Sequence, residues 1–204
     1  MAEKKKYYAV RRGRTTGILF SWDDCKRSVT GFKGAEYKGF VTLEEAKTYL
    51  GEPTVKPIND VTKIPPDSAV AYVDGSYNIK TKEFGFGAVI FHDGKARTFS
   101  RGYNDPELAE MRNVAGEIMG SMFAMHYCKE HGIKNLQIFY DYEGIAKWCK
   151  GEWKVNKPGT IAYRDYYNSM KEFVNVSFVK VKGHSGDKYN DMADSLAKKS
   201  VGIE

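Results

Sequence analysis

Four of the six prolines of this 204-residue chain fall within the stretch GEPTVKPINDVTKIPP, from Gly51 to Pro66. Proline fixes φ and withholds a backbone donor, so neither a helix interior nor a central strand runs through such a stretch. The chain must therefore fold as two parts. The division predicts a small module over 5–50, a Pro-containing linker over 51–67 and a larger domain over 68–204. A linker of that length spans about 20–25 Å if flexible and roughly 50 Å if extended. Either reach lets both parts engage one long ligand.

Charge separates the same two parts. The formal net charge is +6. Residues 1–50 hold 11 Lys and Arg against 6 Asp and Glu, a net of +5, while the rest holds 21 against 20. A compact basic module points to a polyanion such as nucleic acid; a solvated basic face has the same composition, so charge alone does not decide. With 42% hydrophobic and 28% charged residues the chain has the composition of a globular protein, not a disordered one. No apolar run approaches the roughly 18 residues of a membrane span. Met1-Ala2-Glu3-Lys4-Lys5-Lys6 leads into no apolar segment, so no secretory signal is read and no membrane partner is expected. Cys25, Cys128 and Cys149 are odd in number and lack zinc-ligand spacing, which fits free thiols in a reducing cytoplasm.

The small module reads as strand, basic turn, strand, short helix, strand, helix. Tyr7–Val10, Ile18–Phe20 and Tyr37–Val41 are the strands. Ser21 or Asp23 caps a helix to Val29, and Thr42 with Glu45 three residues on forms a capping box for a helix to Leu50. The larger domain opens with Ala69-Val70-Ala71-Tyr72-Val73, a continuous apolar run typical of a strand buried on both faces. Strands follow at 86–91 and 96–103, joined through Asp93-Gly94, a hairpin signal. Pro106 opens a long helix to about Lys129, whose stripe of Met111, Val114, Ile118, Met122 and Met125 reads as core. A strand at 136–140, a helix to about Lys150, a helix at 160–174, a strand at 176–181 and a helix at 188–199 complete the order βββαβααβα. This is an α/β domain with a mixed sheet.

Two of these strands end on carboxylates. Asp74 closes Tyr72-Val73-Asp74-Gly75-Ser76, and Asp141 closes Ile138-Phe139-Tyr140-Asp141. A strand-end Asp before glycine is common in turns, but adjoining strand ends are also where α/β domains build sites. Glu117 lies on the long helix between Gly116 and Gly120, glycines that let a helix approach another backbone closely. Asp191 and Asp194 are three apart, so both lie near one face of the last helix. Such an oxygen-rich set suits hard divalent cations, and paired cations are the usual machinery of phosphodiester hydrolysis.

The set Asp74-Gly75-Ser76, Glu117, Asp141, Gly183-His184-Ser185-Gly186 and Asn190-Asp191-x-Ala193-Asp194-x-Leu196-Ala197 resembles type 1 ribonuclease H. Tyr8-Ala9-Val10-Arg11-Arg12-Gly13-Arg14-x-Thr16-Gly17, Ser21-Trp22 and Tyr37-Lys38 resemble the hybrid-binding domain that precedes it in many members. The resemblance implies a ribonuclease H-like mixed five-stranded sheet with flanking helices and a small α/β N-terminal domain. It implies metal-dependent endonucleolytic hydrolysis of the RNA strand of an RNA–DNA hybrid, leaving 5′-phosphate and 3′-hydroxyl ends. Asp74, Glu117, Asp141 and Asp194 match the metal-binding carboxylates, holding two Mg²⁺ ions for which Mn²⁺ can substitute. Asp194 is preferred to Asp191 because the family pattern is Ala-Asp-x-Leu-Ala. His184 matches a loop histidine linked to proton transfer or product release. Tyr8, Arg11, Arg12, Trp22, Tyr37 and Lys38 match the hybrid-binding positions. No obligatory protein partner is implied. Three departures bear on substrate contacts: Tyr142 stands where a serine often follows the Asp, Gly116 precedes Glu117 with Asn113 rather than an adjacent Asn-Arg pair supplying the nearby amide, and the lysine-rich protrusion of some members is missing after Trp153. A hybrid-binding module with a decayed enzyme domain, and a DNA strand-transfer enzyme of the same broad fold, remain as rivals.

Overall fold

A computed structural model describes residues 7–51, 58, 60–182 and 186–203. The chain separates into two compact units between residues 56 and 57.

In the first unit, β1 (Tyr7–Arg12), β2 (Gly17–Leu19) and β3 (Glu36–Phe40) form an antiparallel sheet in the order β2-β1-β3, with α1 (Trp22–Val29) after β2 and α2 (Leu43–Leu50) after β3. Ser21 caps α1, its hydroxyl accepting from the Asp24 N–H at 3.1 Å. The capping box of Thr42 and Glu45 is formed at α2. The core is small: Val10 of β1 packs with Cys25 and Val29 of α1.

The second unit holds β4 (Ser68–Tyr77), β5 (Phe84–His92), β6 (Lys95–Tyr103), α3 (Pro106–Ala109), α4 (Asn113–Glu130), β7 (Asn135–Tyr140), α5 (Gly144–Cys149), α6 (Pro158–Met170), β8 (Asn175–Lys180) and α7 (Lys188–Ser200). The sheet order is β6-β5-β4-β7-β8; β4, β5 and β6 form an antiparallel meander, and β4, β7 and β8 run parallel. This is the expected mixed five-stranded sheet with flanking helices. The apolar run of β4 divides by the two-residue period of a strand. Ala69, Ala71 and Val73 join the core with Ile118 and Met125 of α4. Val70 and Tyr72 join the opposite core with Ala193 of α7. Burial on both faces is why the run shows no polar alternation.

The structure differs from the sequence reading in two places. The helix expected from Pro106 to about Lys129 is broken: α3 ends at Ala109 and α4 begins at Asn113. Between them Arg112 takes a φ of 53°, a conformation rare for a residue with a side chain. Helical spacing of Met111 and Val114 survives the break because both still pack on the core. Part of the stretch expected as a linker over 51–67 also packs on the second unit. Ile58, Val61 and Ile64 pack against the cluster around Val70 and Tyr72, and the Ile58 N–H donates to Gln137 Oε1 at 2.7 Å. Three apolar residues among prolines are enough to dock this stretch on the sheet.

Two glycines fix the distance of α4 from the sheet. A Cβ on Gly116 would stand 2.1 Å from the Gly85 carbonyl oxygen and 2.8 Å from Gly75 Cα. A Cβ on Gly75 would stand 2.0 Å from the Asn113 carbonyl oxygen. Both obstacles are backbone. At Gly120, one turn on, the nearest atom would be Phe86 Cβ at 3.2 Å, which a small shift relieves. Gly116→Ala should therefore destabilise by about 1–3 kcal/mol or more through overpacking, and Gly120→Ala by distinctly less. Chemical denaturation of the two variants checks this; equal midpoints would show that α4 has room to move.

Candidate active site

β4 and β7 run parallel with Tyr72 paired to Phe139. Two residues beyond that pair stand Asp74, still within β4, and Asp141, just past the end of β7, on neighbouring strands in the middle of the sheet. The close approach of α4 brings Glu117 to the same place. One carboxylate oxygen from each of Asp74, Glu117 and Asp141 lies within 4.8 Å of the others. Glu117 is 1% exposed and Asp74 8%. The Gly75 N–H donates to Asp74 Oδ1 at 2.7 Å, and the Tyr142 N–H donates to Glu117 Oε2 at 3.4 Å.

Burying like charges this closely disfavours ionisation. Burial, then the Asp141 charge, and to a smaller degree that of Asp194, push the Asp74 carboxyl up to about 7, against the opposing pull of the Gly75 N–H and of Lys198. Burial and the charges of Asp141 and Asp74 raise Glu117 well above the usual carboxylate range. A divalent cation resolves the conflict, and an all-oxygen donor set suits Mg²⁺ or Mn²⁺ better than zinc. These residues fit such an ion.

The fourth expected carboxylate lies at the margin. Asp194 on α7 is near enough to Asp74 to raise its pKa, but its Oδ2 accepts from Lys198 Nζ at 2.7 Å, and it is not one of the three gathered oxygens. Asp191 is exposed. The Asp194–Lys198 pair was readable in sequence as an i, i+4 spacing on a helix. His184 lies outside the described residues.

Cationic and aromatic side chains flank the triad. A 380 Å³ cavity is lined by Tyr142, whose N–H donates to Glu117, and by Glu110, Arg112, Trp148, Lys154 and Lys157 among others. The strained backbone at Arg112 places that residue on the cavity wall, a feature no sequence pattern announces. Glu143, two residues after Asp141, accepts from Lys147 and, at 2.8 Å, from Lys180. Both bonds hold the Glu143 carboxyl down at about 2.

In the first unit, Trp22 and Tyr37 are 45% and 43% exposed, so neither is simply core. Their rings lie 6.2 Å apart, and Tyr8 lies 5.5 Å from Trp22. Three expected residues thus form one open aromatic surface. Lys38 does not share it. Tyr37 pairs with Val10 and Lys38 with Ala9, so the two side chains leave opposite faces of the sheet. Arg11 stacks on Tyr49 at 4.1 Å and its Nε donates to the Tyr49 carbonyl at 2.8 Å, while Arg12 approaches Glu36 at 3.5 Å.

Comparison with known proteins agrees with this geometry. Residues 6–50 match the family model "Ribonuclease H1 N-terminal domain", and residues 66–202 match "RNase H". The chain belongs to the ribonuclease H family. Among similar proteins, Ribonuclease H1 of Rattus norvegicus and that of Homo sapiens are each 24% identical, over 256 and 257 residues, covering 96% of this chain and 89% of theirs. The solved RNase H1 of Halobacterium salinarum NRC-1 shares the fold, with a TM-score of 0.56 at 19% identity over 66% of this chain and 98% of its own. LC11-RNase H1, solved in complex with RNA/DNA hybrid, has a TM-score of 0.52 at 18% identity over 65% of this chain and 99% of its own. Ribonucleases H are endonucleases, and the family reaction is hydrolysis of the RNA strand of RNA–DNA hybrids. No helix among the described residues is long and apolar enough to cross a membrane.

The buried triad makes stability depend on pH with a definite sign. Native Asp74 retains its proton up to about 7, whereas an unfolded aspartate releases it near 3.8. Between those values the native state holds more protons, so the metal-free protein loses stability as pH rises. Asp74→Asn should remove that component and flatten the decline between about pH 4 and 7, and added Mg²⁺ should restore the parent at the high end. Thermal melts across pH check this; parallel curves for parent and variant would contradict the burial account.

Proposed function

We propose that this protein cuts the RNA strand of RNA–DNA hybrids in a reaction that requires Mg²⁺, with Mn²⁺ able to substitute, leaving 5′-phosphate and 3′-hydroxyl ends. The observation that carries the reading is the convergence of Asp74, Glu117 and Asp141, two of them buried, at one end of the mixed sheet. When bound, two cations supply an activated water and stabilise the departing 3′ oxygen. Asp74, Glu117 and Asp141 would hold them, with Asp194 as the fourth acid beside the set.

Other residues hold the substrate. Glu117 also accepts from the 2′-hydroxyl beside the scissile phosphate, the group that distinguishes RNA from DNA. His184 assists proton transfer or product release. The cavity walled by Arg112, Lys154 and Lys157 takes backbone phosphates close to the carboxylates. In the first unit Tyr8, Trp22 and Tyr37 stack on sugars or bases. Lys38, Arg11 and Arg12 add positive charge from neighbouring surfaces. The basic module thereby retains the hybrid while the second unit cuts repeatedly, an effect of high local concentration. The three cysteines are buried and unpaired, which supports a reducing, cytoplasmic setting.

The test is cleavage of labelled RNA–DNA hybrid beside single-stranded RNA, double-stranded RNA and duplex DNA, with and without Mg²⁺. Only the hybrid should be cut, and only with the cation. Asp141→Asn should lower turnover by orders of magnitude while hybrid binding persists, and Trp22→Ala should weaken binding and processivity on long hybrids. Near-normal turnover of Asp141→Asn would remove the carboxylates from the chemistry.

A further inference from the structure

We propose that Lys180, held in place by Glu143, contacts a phosphate of the RNA strand beside the cutting site; the assignment rests on the hybrid reading above. Lys180 is the last residue of β8, and its neighbour β7 leads directly into Asp141. A 410 Å³ cavity is lined by Asp141, Lys180, Val181 and Lys182. One wall is therefore a carboxylate of the cation-binding set and the other carries lysine. A phosphodiester entering this space would lie between two sources of positive charge once a cation is bound. Nothing electrically neutral gains as much there.

Glu143 makes the lysine more than a mobile surface charge. Its two oxygens are divided between two ammonium groups, Oε2 with Lys147 and Oε1 with Lys180 at 2.8 Å. Two positive charges share one negative charge, so a net positive charge remains. Lys147 is tied a second time, with its ammonium 4.8 Å over the Trp153 ring. Lys180 is half-exposed and borders the cavity. An ammonium has three donors, so a single bond to Glu143 leaves two for phosphate oxygens. A tethered lysine also surrenders less rotamer freedom when substrate arrives. Surface ion pairs of this exposure stabilise a fold little, so variants here report on substrate rather than on folding. Lys180 is the contact, and Glu143 is the positioning residue.

The experiment uses the full chain and defined hybrids. Lys180→Met should raise KM for hybrid by about three- to tenfold with a smaller change in kcat, and Lys180→Arg should restore most of the loss. In binding without divalent cation, the dependence of log K on log salt should flatten by roughly 0.7–0.9 for Lys180→Met, the value of one lost phosphate contact. Glu143→Gln should raise KM less, with an unchanged melting temperature. A methylphosphonate placed at successive RNA linkages near the cut should weaken the parent at one linkage where it leaves Lys180→Met unaffected. Parental KM and salt slope in Lys180→Met, or the same methylphosphonate penalty as the parent at every linkage, would overturn the assignment. If the parent itself fails to cut hybrid, the functional reading falls and takes this assignment with it. A parent that cuts beside an indistinguishable Lys180→Met removes the lysine alone.

Discussion

The backbone contact between Gly75 of β4 and Gly116 of α4 sets the geometry on which the active site depends. A side-chain carbon at either position would meet backbone atoms at 2.0–2.1 Å. Without side chains there, the helix settles against the sheet and carries Glu117 to Asp74 and Asp141. Parallel pairing of β4 with β7 aligns the two aspartates, and the glycines add the third carboxylate. Sheet topology and helix approach are thus separate requirements, and the triad needs both.

The same closeness destabilises the protein in the absence of a cation. Buried carboxylates cost free energy when ionised and uncompensated. Asp74 and Glu117 each accept one backbone N–H and face Asp141 and each other, and both hold their protons more firmly than exposed acids do. Asp194 is treated differently, because Lys198 neutralises it in place. Similar local compensation recurs at Glu143, where two lysines meet one acid. The strain falls on Asp74 and Glu117, the two buried members of the set best placed to share a cation, which is how functional sites commonly store it.

Much of this was legible in the chain. The apolar run 69–73 had to be a doubly buried strand, the Asp93-Gly94 hairpin and the helix caps carried their own local chemistry, and aspartates closing apolar runs marked the site, although β4 continues past Asp74 to Tyr77. What escaped was tertiary in origin. The break at Arg112 sits inside an unbroken helical stripe, because Met111 and Val114 reach the core despite it. Ile58, Val61 and Ile64 were hidden among prolines, where no period exposes an apolar face. Lys38 was grouped with Tyr37 by the family resemblance, yet neighbours on a strand face opposite ways, and the register on β1 separates them. The roles of Glu143 and Lys180 depend on β7 and β8 being adjacent, 37 residues apart in sequence.

The central claim is that a glycine-enabled carboxylate triad, two of its members buried, is a cation site. Calorimetric titration of Mg²⁺ into the full chain near about pH 8, where the acids are closest to ionised, tests it directly. The parent should bind saturably with release of protons, and Glu117→Gln should lose most of that affinity while remaining folded. Undiminished cation affinity and proton release in Glu117→Gln would contradict the account.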